Sequence, residues 1–160
     1  MKQLWDKWKP YIISVLIALA VGGLSALLSR NGMESYEATV TKPVLTPPGW
    51  LFAVVWTILY ALMGVGAARV WLTKESEARS RGLNLYVAQL IVNFFWSLIF
   101  FNAQAFGFAL LWLVLLWVLV FLMVRKFHRV DRLAALLQIP YLIWLTFAAY
   151  LNFGVLVLNR

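Results

Sequence analysis

Residues 105–124 read AFGFALLWLVLLWVLVFLMV, and every position from 114 to 124 is apolar. A strand of a membrane barrel would alternate apolar and polar side chains over about ten residues, so this run reads as a helix in hydrocarbon. A bilayer core about 30 Å thick takes roughly 20 residues of helix, and the run has that length. Working outward, four more such runs stand at approximately residues 10–28, 48–72, 83–101 and 133–158. The expectation is an all-α integral membrane protein: a five-helix transmembrane bundle forming one domain over residues 1–160. Composition agrees, with 64% hydrophobic residues, 12% charged and a mean hydropathy of +0.84, far from the balance of a soluble domain. The first run, preceded by Lys2, Lys7 and Lys9, also has the outline of a signal peptide. Its apolar stretch is long for one and no small-residue cleavage site follows, so it counts as a helix of the bundle.

Five crossings divide the charge unevenly. One end receives Lys2, Lys7, Lys9, Arg69, Lys74, Arg79, Arg81, Arg125, Lys126, Arg129 and Arg132, and the other only Arg30, Lys42 and Arg160. The positive-inside rule then puts the N-terminus in the cytoplasm and the C-terminus outside. The formal charge of +8 is thus a topology signal, with anionic lipid as the other reading, and no nucleic-acid partner is expected. The absence of cysteine excludes disulfides and thiolate chemistry. The single His128, placed in a basic loop, leaves no basis for a histidine-held metal or haem, and no metal site is expected. No ionisable residue lies deep in any run, which argues against ion-coupled transport. Walker, dinucleotide and hydrolytic-triad patterns are also missing.

What remains is aromatic surface and a few amides. Ser14, Ala18, Gly22 and Ala26 form a small-residue ridge on the first helix, suited to close helix packing. The connection 29–47 is the longest in the chain and the natural lid. Pro47-Pro48 opens the second helix, on which Phe52, Trp56 and Tyr60 share one face. On the third, Tyr86, Gln89, Asn93, Trp96 and Phe100 form one stripe. An amide facing lipid unpaired would cost several kcal/mol, so Gln89 and Asn93 must bond to other helices or line a cavity. The fourth helix, with only its indoles Trp112 and Trp117 polar, is expected to face lipid or a partner. On the fifth, Pro140 is expected to kink the helix beside Trp144, which shares a face with Ala148 and Asn152. Such a surface suits a flat apolar ligand oriented by a few polar atoms.

The chain resembles the TspO or translocator protein family, the tryptophan-rich sensory or peripheral benzodiazepine receptor-like proteins. The resemblance rests on Lys42-Pro43, Pro47-Pro48-Gly49-Trp50, the run from Val55-Trp56 to Met63-Gly64, Tyr86-Val87-Ala88-Gln89-Leu90, Asn93, Trp96, Phe100-Phe101, Pro140-Tyr141 through Ala148, and Leu151-Asn152. It spans nearly the whole chain in order. It implies a five-helix bundle, a homodimer, with a pocket closed by the first loop. Relatives bind porphyrins and isoquinoline-type or benzodiazepine ligands, and animal members bind cholesterol. The family's pocket positions correspond to Tyr36, Pro48, Trp56, Tyr60, Asn93, Trp96, Trp144 and Ala148. Leu45, where tryptophan is common, and Val54, where proline is common, depart from the pattern. No basic residue follows Tyr150 before Arg160, so the proposed cholesterol pattern fails and cholesterol transport is not carried over.

The leading expectation is therefore a membrane porphyrin (tetrapyrrole) receptor or sensor in a bacterial plasma membrane, with the porphyrin as ligand rather than resident cofactor. Some relatives are reported to promote light- and oxygen-dependent porphyrin breakdown, and on that alternative Trp56 and Trp144 become the catalytic residues. A passive carrier of lipid or tetrapyrrole is a third reading.

Overall fold

The computed structural model describes all of residues 1–160. Its helices are α1 (Lys2–Leu28), α2 (Arg30–Thr39), α3 (Gly49–Trp71), α4 (Glu77–Ser97), α5 (Phe106–Val130), α6 (Arg132–Leu136) and α7 (Ile139–Leu158), with a π-helical turn, Leu98–Asn102, extending α4. Five spans are long and apolar enough to cross a membrane: α1, α3, α4 with its π turn, α5, and α6 with α7. The five-helix membrane bundle is thus the observed fold. Its outer surface carries exposed Ile17, Leu111, Val114, Phe121 and Ile143, as expected where lipid is the solvent. Inside, one continuous core runs from Ala18 of α1 to Val155 of α7.

Several elements differ from the sequence expectation. The first helix begins at Lys2, not at residue 10, and Pro10 lies inside it. The first connection is not plain loop, because Arg30–Thr39 forms α2, whose end is capped by Lys42. That ammonium donates to the carbonyls of Tyr36, Glu37 and Val40 at 3.1–3.2 Å, the favoured place for a cation on a helix. Leu45, one of the departures from the family pattern, takes a φ of 73° in the turn that follows. His128 sits not in a loop but in the last turn of α5, which runs on to Val130.

The fourth membrane helix does not merely face lipid. Leu113, Leu116, Val120, Met123 and Phe127 of α5 are buried, and α5 packs along both α4 and α7. An all-apolar run carries no polar face to mark its inner side, and the indoles were the only signal. Trp112 Nε1 donates to the Val92 carbonyl at 2.7 Å and Trp117 Nε1 to Thr146 Oγ1 at 3.0 Å. Pro140 produces no kink in mid-helix. The chain breaks after α6, and Pro140 falls in the first turn of α7, where a missing N–H is harmless.

The course of α1 positions the site. Its ridge meets α3 closely at Ser14, whose hydroxyl donates to the Gly64 carbonyl at 2.7 Å, and a side chain at Gly64 would strike the α1 backbone. Toward the end that carries α2, α1 swings to α4, where Ser25 Oγ donates to the Phe94 carbonyl at 2.8 Å. A gap is left on either side of this crossing: one between α1 and α3 near α2, the other between α1 and α4 at the basic end.

Candidate ligand-binding site

The gap near α2 is a cavity of about 280 Å³. Gly22, Gly23 and Ala26 of α1 form one wall, and Phe52, Trp56 and Tyr60 of α3 the opposite one. Asn93, Trp96 and Ser97 of α4 form the back, while Met33 of α2 and Phe101 border it. The upper half of the small-residue ridge therefore lines the cavity, with Gly22 also packed closely against the Tyr60 ring, while its lower half packs on α3. No charged residue lines the cavity. The hydroxyls of Ser25, Thr57 and Tyr60 all donate within the protein, to the Phe94 carbonyl, the Ala53 carbonyl and Asn93 Oδ1. Each of these hydroxyl oxygens keeps a free lone pair that a ligand donor could use.

A buried polar chain stands behind Tyr60. Its hydroxyl donates to Asn93 Oδ1 at 2.9 Å, Asn93 Nδ2 donates to the Tyr141 hydroxyl at 2.6 Å, and Tyr141 donates to Gln89 Oε1 at 2.7 Å. Gln89 ends the chain with a long contact to Met63 Sδ at 3.8 Å. The alternatives for the two amides are resolved separately: Gln89 is fully buried and bonds only between helices, whereas Asn93 does so and also lines the cavity. Buried networks of this kind fix side-chain orientation when every member is paired.

The aromatic rings divide into two groups around Trp56. On its cavity side the ring lies 5.6 Å from Tyr60. Behind it are Tyr141 at 6.1 Å and Trp144 at 6.5 Å, both edge to face. Trp144 also meets Phe52 at 5.5 Å, and its Nε1 is buried without a partner. Trp96 stacks on Phe100 at 5.0 Å and donates to Asn152 Oδ1 at 3.3 Å.

The family model described as TspO/MBR family matches residues 14–158. The chain belongs to the TspO/MBR family. It is 41% identical over 145 residues to the tryptophan-rich protein TspO of Chlorobaculum tepidum, covering 89% of this chain and 91% of that one. It is 40% identical to protein CrtK of Rhodobacter capsulatus, over 89% of each chain. With the translocator protein of Bos taurus it shares 35% identity over 91% of this chain and 88% of the other.

Of the eight positions carried over from the TspO/MBR family, Trp56, Tyr60, Asn93 and Trp96 line the cavity. Trp144 stands one ring behind, and its own exposed side faces a groove between α3 and α7. Ala148 is buried in the core, bordering none of these hollows. Pro48 caps α3 from an exposed position. Tyr36 is buried beside Phe100 and Phe101 and borders an adjoining hollow, which shares Met33, Phe52 and Phe101 with the cavity. Burial pushes its phenol up to about 12, and the neighbouring Glu37 carboxylate adds to the rise.

Sequence reading missed Tyr141 as the hub of the polar chain and Gly22 as a cavity wall. Tyr141 was detectable, three residues before Trp144 on a helix and opposite two amides that needed partners. Gly22 was visible only as one member of a ridge, and nothing local tells a glycine that seats an aromatic ring beside a cavity from one that packs two helices together.

Proposed function

We propose that this protein is a membrane receptor or sensor for tetrapyrroles, which bind in the α1–α3–α4 cavity with α2 and the following strap as its lid. One observation carries the reading: an uncharged aromatic cavity holds Asn93 in a fixed orientation at its back. Such a site binds a flat apolar ring by stacking on Trp56 and Trp96, and the hydroxyl lone pairs of its wall suit the pyrrole N–H groups of a free-base porphyrin. The present volume is just below the roughly 300–1,000 Å³ of small-molecule sites, so a macrocycle enters only when α2 and the strap move aside. Smaller isoquinoline-type molecules need less displacement. The porphyrin is a ligand, not a resident cofactor. The protein works as a homodimer in a bacterial plasma membrane, N-terminus in the cytoplasm; the charge asymmetry supports the orientation.

The Trp56–Trp144 contact favours a second reading, light- and oxygen-dependent porphyrin degradation. Trp56 borders the cavity and Trp144 backs it edge to face, so an electron lost by the first indole can be replaced from the second.

The test is a dark titration of purified protein with protoporphyrin IX, followed by illumination, reading tryptophan quenching and pigment absorption in one sample. Saturable quenching without a new absorbing species supports the receptor. Light-dependent conversion that disappears in Trp56→Phe and Trp144→Phe variants still able to bind supports the enzyme. Absence of saturable quenching removes both.

A further inference from the structure

The aromatic contacts that lead away from the cavity do not end at Trp144. On α7 the residues at 144, 147 and 150 follow at steps of three, so each side chain neighbours the next. The Trp144 ring lies 5.4 Å from Phe147, and Phe147 stacks at 6.1 Å on Tyr150. With the Trp56–Trp144 contact at 6.5 Å, an unbroken row of rings runs from the cavity wall to the strap that follows α2. Tyr150 is exposed, and its hydroxyl donates to the carbonyl of Val44, itself exposed. The Trp144 indole N–H, by contrast, is buried and bonds to nothing.

We infer that Tyr150 is the terminal electron donor to the cavity: an oxidising equivalent formed at Trp56 travels through Trp144 and across Phe147 to the phenol at the surface. The inference rests on the photo-oxidative reading of the site. Trp56 gives one electron to the light-excited porphyrin, and dioxygen takes that electron on, so superoxide and an indole radical cation result. Trp144 refills Trp56. Tyr150 then refills Trp144 and releases its phenolic proton to interfacial water, which leaves a neutral phenoxyl radical. A water-soluble one-electron reductant of the ascorbate or hydroquinone class returns the electron, and the proton comes back from water. Such a cycle moves one electron from that reductant to dioxygen and restores both indoles, so the site survives repeated turnovers.

Proton release selects Tyr150 over the two phenols nearer the cavity. Oxidised tyrosine is held only once its proton has left. Tyr60 and Tyr141 also approach Trp56, at 5.6 and 6.1 Å, but both are buried. Each donates its proton to an amide oxygen, Asn93 Oδ1 or Gln89 Oε1, which is too weak a base to keep it. The lone Trp144 N–H works in the same direction. With no acceptor for its proton, the oxidised indole stays a buried cation, which is costly and drives it to take an electron from Tyr150. Phe147 is too hard to oxidise to hold the charge and serves as the contact between the two.

The test is electron paramagnetic resonance of the full-length, protoporphyrin-loaded protein, illuminated in air and frozen, with ring-deuterated tyrosine to mark phenoxyl radicals by their narrowed line. Wild type is expected to give a phenoxyl signal. Tyr150→Phe loses it and a tryptophanyl signal takes its place, while Trp144→Phe loses it because Trp56 is cut off. Ascorbate removes the wild-type phenoxyl signal but leaves the buried tryptophanyl signal of Tyr150→Phe. Asn159→Ala loosens the strap that Tyr150 also holds, yet keeps the phenol and its signal. A phenoxyl signal that survives in Tyr150→Phe, or a wild type with a tryptophanyl signal alone, overturns the route and leaves the photo-oxidative reading standing. Saturable quenching with no radical of either kind removes that reading and the route with it.

Discussion

The Tyr141 hydroxyl on α7 accepts from Asn93 Nδ2 on α4 at 2.6 Å, so the amide that lines the cavity is held from behind by a residue that never touches it. Tyr141→Phe strips Asn93 Nδ2 and Gln89 Oε1 of one partner each while keeping the ring against Trp56. Leaving buried polar groups unpaired costs ~1–3 kcal/mol, so the melting temperature in detergent falls. Asn93 also becomes free to rotate, and the quenching titration shows weaker porphyrin binding although no lining atom has been removed. Unchanged affinity with lowered stability would reduce Tyr141 to a packing role.

Two adjacent glycines give a matched comparison. A methyl at Gly22 runs into the Tyr60 ring, whereas at Gly23 it meets open space. Gly22→Ala is expected to push Tyr60 away, break its bond to Asn93 and narrow the cavity, weakening porphyrin binding about tenfold or more, by order of magnitude for one buried hydrogen bond and its packing. Gly23→Ala, on the same wall, displaces no neighbour and is expected to weaken binding much less than Gly22→Ala while gaining slightly in helix propensity. Equal behaviour of the two variants would move the binding site elsewhere.

The five membrane helices were legible because hydrocarbon imposes a length and a composition that few other structures satisfy. The cavity-facing positions Trp56, Asn93 and Trp96 were legible as aromatic and amide stripes at helical spacing. Less was readable where neighbours decide. α2 has a polar sequence, and its end is satisfied by Lys42, a residue outside the helix. The inner face of α5 is defined only by α4 and α7, because its own sequence is apolar all round. Pro140 was placed correctly in sequence but its consequence depended on where the helix started, and helix starts are the least certain feature of an apolar run.

Asn159, just beyond α7, accepts from the Thr41 amide at 2.9 Å and donates to the Thr41 carbonyl at 2.8 Å, while the Tyr150 hydroxyl donates to the Val44 carbonyl at 2.9 Å. These bonds strap the segment after α2 across the end of α7. Asn159→Ala removes two of them in exposed surroundings, together worth about 1–2 kcal/mol. The expected result is faster entry and release of porphyrin, each by up to about tenfold in stopped-flow quenching, with the equilibrium affinity changed much less. A change in affinity alone would show that the strap does not gate access.

Tyr36 gives the α2 segment a dependence on alkaline pH. Its phenol ionises at about 12 instead of the usual 10, mainly because it is buried, with Glu37 opposing the phenolate. A raised value means that the folded state favours the protonated phenol. Its contribution is therefore complete below pH 10 and is lost as pH rises from 10 toward 12, where the unfolded or undocked segment releases the proton first. Absorbance titration at the phenolate band, taken as the difference between wild type and Tyr36→Phe, should show one group ionising near 12. Proteolysis of the 29–47 segment should accelerate above pH 10 in wild type, and the acceleration should be smaller in Tyr36→Phe, which has no phenol to ionise. A difference step at pH 10 with no change in cleavage would mean that Tyr36 is exposed in the membrane and that α2 does not dock on Phe100 and Phe101.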